Sequence, residues 1–381
     1  MPFKHKTVME QRLELVIQAA QQGANITELS KRYGISRRVC YKWIDRYKRY
    51  GQEGLSDQSK RPLTSPLKTS VDVEQQVVTL RRENPEWGAR KLRAILQREG
   101  CTPVPSASTI GMILLRSGLV KPERSKQCAP LQRFEYEYPN QLWQMDFKGC
   151  FNLLDKSNCH PLTITDDHSR FNICLAACLG QRTTTVKEQL ISVFRRYGMP
   201  DTILTDNGSP WGVTGNQSQD NLVTLTTLEV WLLRLGIRVI HGRPYHPQTQ
   251  GKEERFHRTL KTELLQYEQF RNLRHCQQRF DQWRNKYNLY RPHQAIGFKV
   301  PAEVYSHSPK AFPEVLSNLE YGASDIVRKV CDKGLISLNG KIIKLGKGLS
   351  GQWVAARATA QTDIMEIYFC NQKIKDIFIN K

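Results

Sequence analysis

Three acidic sites, far apart along the chain, each fall where a strand end or a helix start would present a carboxylate. Trp143-Gln144-Met145-Asp146-Phe147 and Leu204-Thr205-Asp206-Asn207-Gly208 are apolar, strand-like runs that each deliver an aspartate. Gly251-Lys252-Glu253-Glu254-Arg255 opens a long amphipathic segment with a glutamate. A fold that uses all three must bring two strand ends and one helix start to a common point. Carboxylates gathered this way form a hard, all-oxygen site of the kind Mg²⁺ or Mn²⁺ prefers. Two such ions can activate an attacking oxygen and stabilise a leaving one in phosphodiester chemistry.

The chain around these acids is strongly basic. Its net charge of +21 over 381 residues exceeds what solubility requires and favours a polyanionic partner. The charge is concentrated: residues 1–130 hold 24 Lys/Arg against 12 Asp/Glu, which is +12 of the total. An acidic pocket in a basic chain implies chemistry on nucleic acid. The length predicts two to four domains. The ten cysteines are scattered without C-x-x-C spacing, as in a reduced, cytosolic protein, and Cys174 and Cys178 read as packed small residues. Neither a signal-peptide core nor a long uncharged apolar run is present, so a soluble, non-exported protein without a membrane role is expected.

Residues 1–55 carry a three-helix pattern. Leu13, Leu15, Val16 and Ala19 mark a first helix that ends near Gly23. Asn25, with Glu28 three residues on, caps a second over Ile26 to Tyr33. Gly34 turns the chain, and Ser36 caps a third through Tyr50. Val39, Trp43 and Tyr47 recur at spacing four as its buried face, leaving Arg37, Arg38, Tyr41, Lys42 and Arg46 outward. A Gly turn followed by a basic helix is the helix-turn-helix arrangement, whose second helix enters the major groove. After a linker over 51–70, residues 70–120 repeat the pattern loosely. Arg90 and Lys91 are its candidate DNA contacts, and Ser106 starts a less basic third helix suited to backbone or a neighbouring subunit. A second, proline-containing linker covers 121–140.

The middle of the chain, 136–305, reads as a mixed α/β domain. Apolar runs at 142–147, 159–165 and 171–177 predict an antiparallel meander, followed by a helix from Thr184 to Tyr197. A strand at 202–205 delivers Asp206, and a polar, mobile loop is expected over 209–223. A helix (225–235), a strand (238–240) and the loop Pro244–Gly251 lead into a long helix.

These motifs carry a resemblance. Trp143-Gln144-x-Asp146, Leu204-Thr205-Asp206-Asn207-Gly208, and the run His246-Pro247-Gln248-Thr249-x-Gly251-Lys252-x-Glu254-Arg255-Phe256-His257-Arg258-Thr259-Leu260-Lys261 are its main parts. With Tyr287-Asn288-x-x-Arg291-Pro292-His293-Gln294-Ala295-x-Gly297 they resemble bacterial insertion-sequence transposases of the DDE superfamily, with a retroviral-integrase-type, ribonuclease H-like core. The resemblance implies Asp146, Asp206 and Glu254 as the catalytic acids and metal ligands, with two Mg²⁺ or Mn²⁺ ions per site. The chain departs from retroviral integrases in lacking an amino-terminal His/His/Cys/Cys zinc module. The 47 residues between its second and third acids exceed the usual spacing, an excess assigned to the 209–223 loop.

The choice between Glu253 and Glu254 also has a physical basis. At 100° per residue, Phe256, Leu260, Leu264 and Tyr267 share one helix side, and Glu253 falls on it. Glu254 points away, in a stripe with His257, Arg258 and Lys261, which are therefore candidate DNA contacts. Asp166 and Asp167 read as turn residues, Asp201 likewise, and Arg291 and His293 as fixing a helix end near the core. From 320 to 381 the texture changes to short strands with a hairpin at Asn339-Gly340, suggesting a small SH3-like β-barrel.

The expected architecture is thus multidomain: all-α helix-turn-helix modules, an α/β ribonuclease H-like core, and a small carboxy-terminal barrel. The resemblance implies a transposase that acts on its element's terminal inverted repeats and on target DNA. Pairing two ends calls for a homodimer or higher oligomer, in the bacterial cytoplasm and on the nucleoid. The alternative is a domesticated, non-catalytic DNA-binding regulator.

Overall fold

The structure is a computed structural model that describes residues 6–59, 68–120, 135–206, 208, 210–211, 225–242, 251–359 and 364–378. The chain divides into two units, Met1–Lys68 and Thr69–Lys381, each described by itself. The expected loop over 209–223 (apart from 210–211), the segment 244–250 with His246, and much of both linkers lie outside the described residues.

The first unit holds α1 (Val8–Ala19), α2 (Ile26–Arg32) and α3 (Arg37–Tyr50). Each starts on a side chain that accepts from an otherwise unpaired backbone N–H: Thr7 in a capping box with Glu10, Asn25 from Thr27, Ser36 from Val39. Gly34 takes φ +62°, a conformation other residues adopt at a cost, and turns α2 into α3. The buried face of α3 differs from the spacing-four expectation. Cys40 and Trp43 are its buried residues, while Val39 and Tyr47 are only partly covered. The segment after α3 is not all linker: Leu55 is fully buried against Leu15, Val16 and Trp43.

The second unit opens with α4 (Val71–Glu83), α5 (Ala89–Arg98) and α6 (Ala107–Arg116), capped by Ser70 on the first and Ser106 on the third. Val77, Leu80, Leu92, Ile95, Leu96, Ile110, Ile113 and Leu114 form its core, with Trp87 buried beside them.

A mixed sheet follows, built from β1 (Leu142–Phe147), β2 (Phe151–Asn152), β3 (Asn158–Asp166), β4 (Asn172–Cys178), β5 (Thr202–Thr205) and β6 (Arg238–His241). Strand order is β2-β3-β1-β5-β6, with β4 pairing β3. The first strands pair antiparallel, as the meander predicts; β5 and β6 run parallel to β1. Parallel pairing needs crossovers, supplied by α7 (Thr183–Tyr197) and α8 (Thr227–Arg234). Their apolar faces cover one side of the sheet through Val186, Leu190, Phe194, Leu228 and Leu232. The other side is covered by α9 (Gly251–Leu260) and α10 (Leu273–Leu289), through Phe256, Leu260, Leu264, Phe280, Trp283 and Tyr287. One π-helical turn, Lys261–Leu265, extends α9, and Tyr267 beyond it is exposed, so it leaves the apolar stripe assigned to it. The short α11 (Pro301–Val304) follows.

The carboxy-terminal part contains β7 (Ile326–Lys329), β8 (Leu335–Leu338), β9 (Lys341–Lys344), β10 (Trp353–Ala358), β11 (Ile364–Phe369) and β12 (Gln372–Phe378). Gly334, between β7 and β8, takes φ +75°, and a side chain there would collide with the Gly346 backbone. The pairing is an antiparallel sheet, β12-β11-β10-β7, and a separate β8-β9 hairpin. Among the described residues no pairing joins the two into the closed barrel the sequence suggests. Their shared core includes Val330, Ile336, Leu345, Val354, Ile367 and Phe369.

Candidate active site

Strand register brings the first two acids together. In the parallel β1–β5 pair, Leu142 lies opposite Thr202, Trp143 opposite Ile203 and Gln144 opposite Leu204; the same offset carried on sets Asp146 level with Asp206. Paired positions in neighbouring strands point to the same face. Across β1 on the other side, Asp146 faces Thr163 of β3.

Asp146 Oδ1 accepts from the Phe147 N–H at 2.7 Å. Burial raises its carboxyl pKa to about 6, with the charges of Asp206 and then Glu254 adding to the rise and the Phe147 N–H opposing it. The Asp146 carboxyl thus lies within electrostatic reach of both other acids. Asp206 Oδ1 accepts from the Gly208 N–H at 3.0 Å, which closes a tight turn after β5. Among the described residues, no three His, Cys, Asp or Glu side chains are drawn together closely enough to grip an ion. The donor set itself is all carboxylate oxygen, which fits a hard divalent cation.

Glu253 and Glu254 part company on α9. Glu253 is buried and Glu254 exposed. Glu253 Oε2 accepts from the Thr163 hydroxyl at 3.1 Å, and burial pushes its pKa up to about 8, so it is protonated at neutral pH. His257 lies on the Glu253 side and not on the outward stripe assigned to it. Its Nε2 is 2.8 Å from Thr163 Oγ1 and its Nδ1 is 3.9 Å from Asp146 Oδ2. Burial, then the neighbouring Lys148 charge, lowers its pKa to about 4, so a neutral imidazole sits beside Asp146. His257 follows Glu253 by one helical turn, and both side chains pack on Thr163. Arg258 and Lys261 remain exposed.

Asp166 and Asp167 are structural, as their turn-like context suggests. Asp166 Oδ1 accepts from Asn140 N–H at 2.7 Å and Oδ2 from Ser169. Asp167 Oδ1 accepts from Gln144 Nε2 at 2.6 Å, and its Oδ2 is bound by Lys252 Nζ, also at 2.6 Å. This pair ties the start of α9 to the sheet. Asp201 is bonded to Lys310 and Tyr138. Arg291 does hold a helix end, through Glu263 at 2.8 Å.

Two features escaped sequence reasoning. His241 Nδ1 lies 2.9 Å from the Asp206 carbonyl, and its Nε2 is 2.8 Å from Glu229, which raises its pKa. It props the residue that carries the second acid. Lys148, half-buried near Lys261, adds a cation at the site's rim. Neither has a motif signal, because each is set by packing between elements.

Among the candidate DNA contacts, Arg37, Arg38, Tyr41 and Lys42 are exposed on α3. Arg46 is half-covered, bonded to Gln58 and 5.3 Å from the Trp43 ring centre. Arg90 is exposed. Lys91 is turned inward: its Nζ lies 3.9 Å from Glu263, and burial lowers its pKa to about 8. It does not present a free cation to DNA.

Comparison with known proteins fits this geometry. An Integrase core domain family matches residues 137–247, and a second one of the same description matches 235–301. A Helix-turn-helix domain family matches 11–62 and a Homeodomain-like domain family 39–114. The IS481 family transposase, C-terminal domain matches 325–380. The insertion element IS407 uncharacterized 31.7 kDa protein of Burkholderia multivorans is 25% identical over 250 residues, covering 63% of this chain and 85% of its own. The insertion element IS476 uncharacterized 39.2 kDa protein of Xanthomonas euvesicatoria is 24% identical over 287 residues, 74% of this chain and 78% of its own. The solved HTLV-2 integrase catalytic core domain in complex with magnesium covers 44% of this chain and 97% of its own, at 16% identity and a TM-score of 0.32. Among the described residues no helix is long and apolar enough to cross a membrane.

Proposed function

This chain belongs to the bacterial insertion-sequence transposases of the DDE type with a retroviral-integrase-type core, and from that premise we propose that it cuts and joins the DNA of its own element. Its substrate is the terminal inverted repeat, recognised by the first module through Arg37, Arg38, Tyr41 and Lys42. The reaction is hydrolysis of one phosphodiester to free a 3′-hydroxyl, followed by in-line attack of that hydroxyl on target DNA. In the first step the water's oxygen bonds to phosphorus as the bond to the 3′-oxygen breaks. In the second the 3′-oxygen replaces the target's own 3′-oxygen. No covalent bond to the protein is required.

Asp146, Asp206 and Glu254 would together hold the two divalent ions. Bound there, Mg²⁺ or Mn²⁺ would supply Lewis acidity to both the attacking and the leaving oxygen. Glu254 takes this role and Glu253 does not, because a carboxyl that is buried and protonated is a poor ligand. Arg258 and Lys261, exposed beyond Glu254, hold the DNA backbone. The carboxy-terminal sheet and hairpin are read as gripping the DNA backbone. Two ends held together imply at least a dimer on DNA, in the bacterial cytoplasm.

One observation supports the reading: the Asp146 carboxyl feels the charges of both Asp206 and Glu254, inside a chain of net charge +21. The second reading, a non-catalytic end-binding regulator, is favoured by the absence among the described residues of a ready-made three-ligand cluster. A nicking assay on end-containing DNA with Mg²⁺ or Mn²⁺ decides between them. Metal-dependent nicking at the repeat supports the enzyme; binding without any nicking supports the regulator.

A further inference from the structure

Glu263 lies about two and a half helical turns beyond Glu254 on the same rod. Its carboxylate joins the second module to the catalytic core. Glu263 Oε1 accepts from Trp87 Nε1–H of the module at 3.2 Å and from Arg291 Nε–H of the core at 2.8 Å, with Lys91 Nζ at 3.9 Å. Only about a tenth of the Glu263 and Arg291 side chains is exposed. The Trp87 ring is buried, with its centre 5.7 Å from that of Tyr290 and the Lys286 ammonium 5.5 Å away. At the rim, Tyr267 O–H donates to Glu86 at 2.6 Å, and Arg98 pairs with Glu303 at 2.8 Å.

A carboxylate withdrawn from water and matched by two cations and an indole N–H is a specific joint. Taking away either sign leaves an uncompensated charge in a low-dielectric seam, which is strongly unfavourable. The joint also uses up Lys91, while Arg90 and Arg93 of the same helix α5 stay exposed. The module thus has one face fixed to the core and another, basic face open.

We infer that the Glu263 joint makes the second module a gauge: DNA held by Arg90 and Arg93 meets Asp146 and Asp206 at one set distance, so the joint selects which phosphodiester is cut. The inference rests on the transposase reading above. Its physical basis is the fineness of DNA. Successive phosphates of one strand are spaced about 3.4 Å along the duplex axis. A module free to wander by that much would offer several bonds to the same pocket.

The test maps the nick to the nucleotide on labelled end DNA, with the full-length protein and Mg²⁺. Wild type is expected to cut one position. Glu263→Gln removes the buried charge, and Trp87→Phe removes the N–H donor while keeping a ring in the core. In each, the nick is expected to spread to neighbouring phosphodiesters, and the share at the principal position to fall severalfold. Melting curves establish that each variant is folded; should Glu263→Gln fail to fold, Trp87→Phe is judged alone by the same criterion. A slower but equally well-placed nick in a folded variant means that the joint is merely structural and overturns the gauge. Wild-type protein that leaves end DNA uncut with both Mg²⁺ and Mn²⁺ defeats the transposase reading, and this inference with it.

Discussion

The two amino-terminal modules are made from the same three-helix pattern, yet their basic helices meet different fates. In the first, α3 keeps Arg37, Arg38, Tyr41 and Lys42 in solvent, and its apolar residues stay within its own unit. In the second, α5 divides its charge: Arg90 and Arg93 face solvent, Lys91 is drawn to Glu263, and Arg98 pairs with Glu303. Similar local sequence therefore produces one module whose basic helix stays exposed and another whose basic helix is partly claimed by the core. A basic residue on a helix is a DNA contact only if nothing acidic in the fold claims it first.

The largest expected effect separates chemistry from reading. Asp146→Asn, Asp206→Asn or Glu254→Gln should each abolish nicking and strand transfer, while gel-shift binding to end DNA by the first module survives. Glu253→Gln should stay active, since glutamine copies the protonated carboxyl already present at neutral pH. A dead Glu253→Gln beside an active Glu254→Gln would reverse the helix-face assignment.

Next comes the contrast between modules. Arg38→Ala should cost about 1–3 kcal/mol on the specific end and much less on random DNA, because the first turns of a recognition helix reach base edges. Arg90→Ala should weaken both DNAs alike, as a backbone contact does. Titrations of matched and scrambled ends check this; the reverse pattern would make the second module the reader.

A smaller effect concerns stability. The folded pKa of Asp146 is raised from 3.8 to about 6, so the folded protein retains a proton that the unfolded chain has already released. The resulting penalty is absent below 3.8, grows as pH rises between the two values, and is complete above about 6. Asp146→Asn should thus gain about 1–2 kcal/mol near neutral pH in metal-free buffer, allowing for partial exposure. Denaturant unfolding across pH measures it, and an equal gain at pH 3 would point to another cause. Added Mg²⁺ should stabilise wild type and not the variant.

The smallest effect is at the rim. Lys261→Glu should flatten the salt dependence of binding by roughly one unit of log–log slope and lower strand transfer, with the preferred end sequence unchanged. Binding across a salt series tests this. A shifted end preference with an unchanged slope would make α9 a reader of bases.

The sequence by itself determined most of the elements and singled out the candidate acids. Capping serines, alternating apolar runs and the Gly34 turn are local signals, and local backbone energetics honour them. The Asp146, Asp206 and Glu254 contexts were legible for the same reason: each is a strand end or a helix start. The tertiary structure alone decided what each polar group meets. Helical rotation sends His257 inward to Thr163 and Asp146, away from Arg258. Parallel pairing sets Asp146 level with Asp206 across 60 residues of chain, and His241 reaches the Asp206 carbonyl from a neighbouring strand. Glu263 recruits Lys91 and Trp87 from more than 170 residues away. The electrostatic partner of a side chain depends on distance in space, and distance along the chain carries almost no record of it.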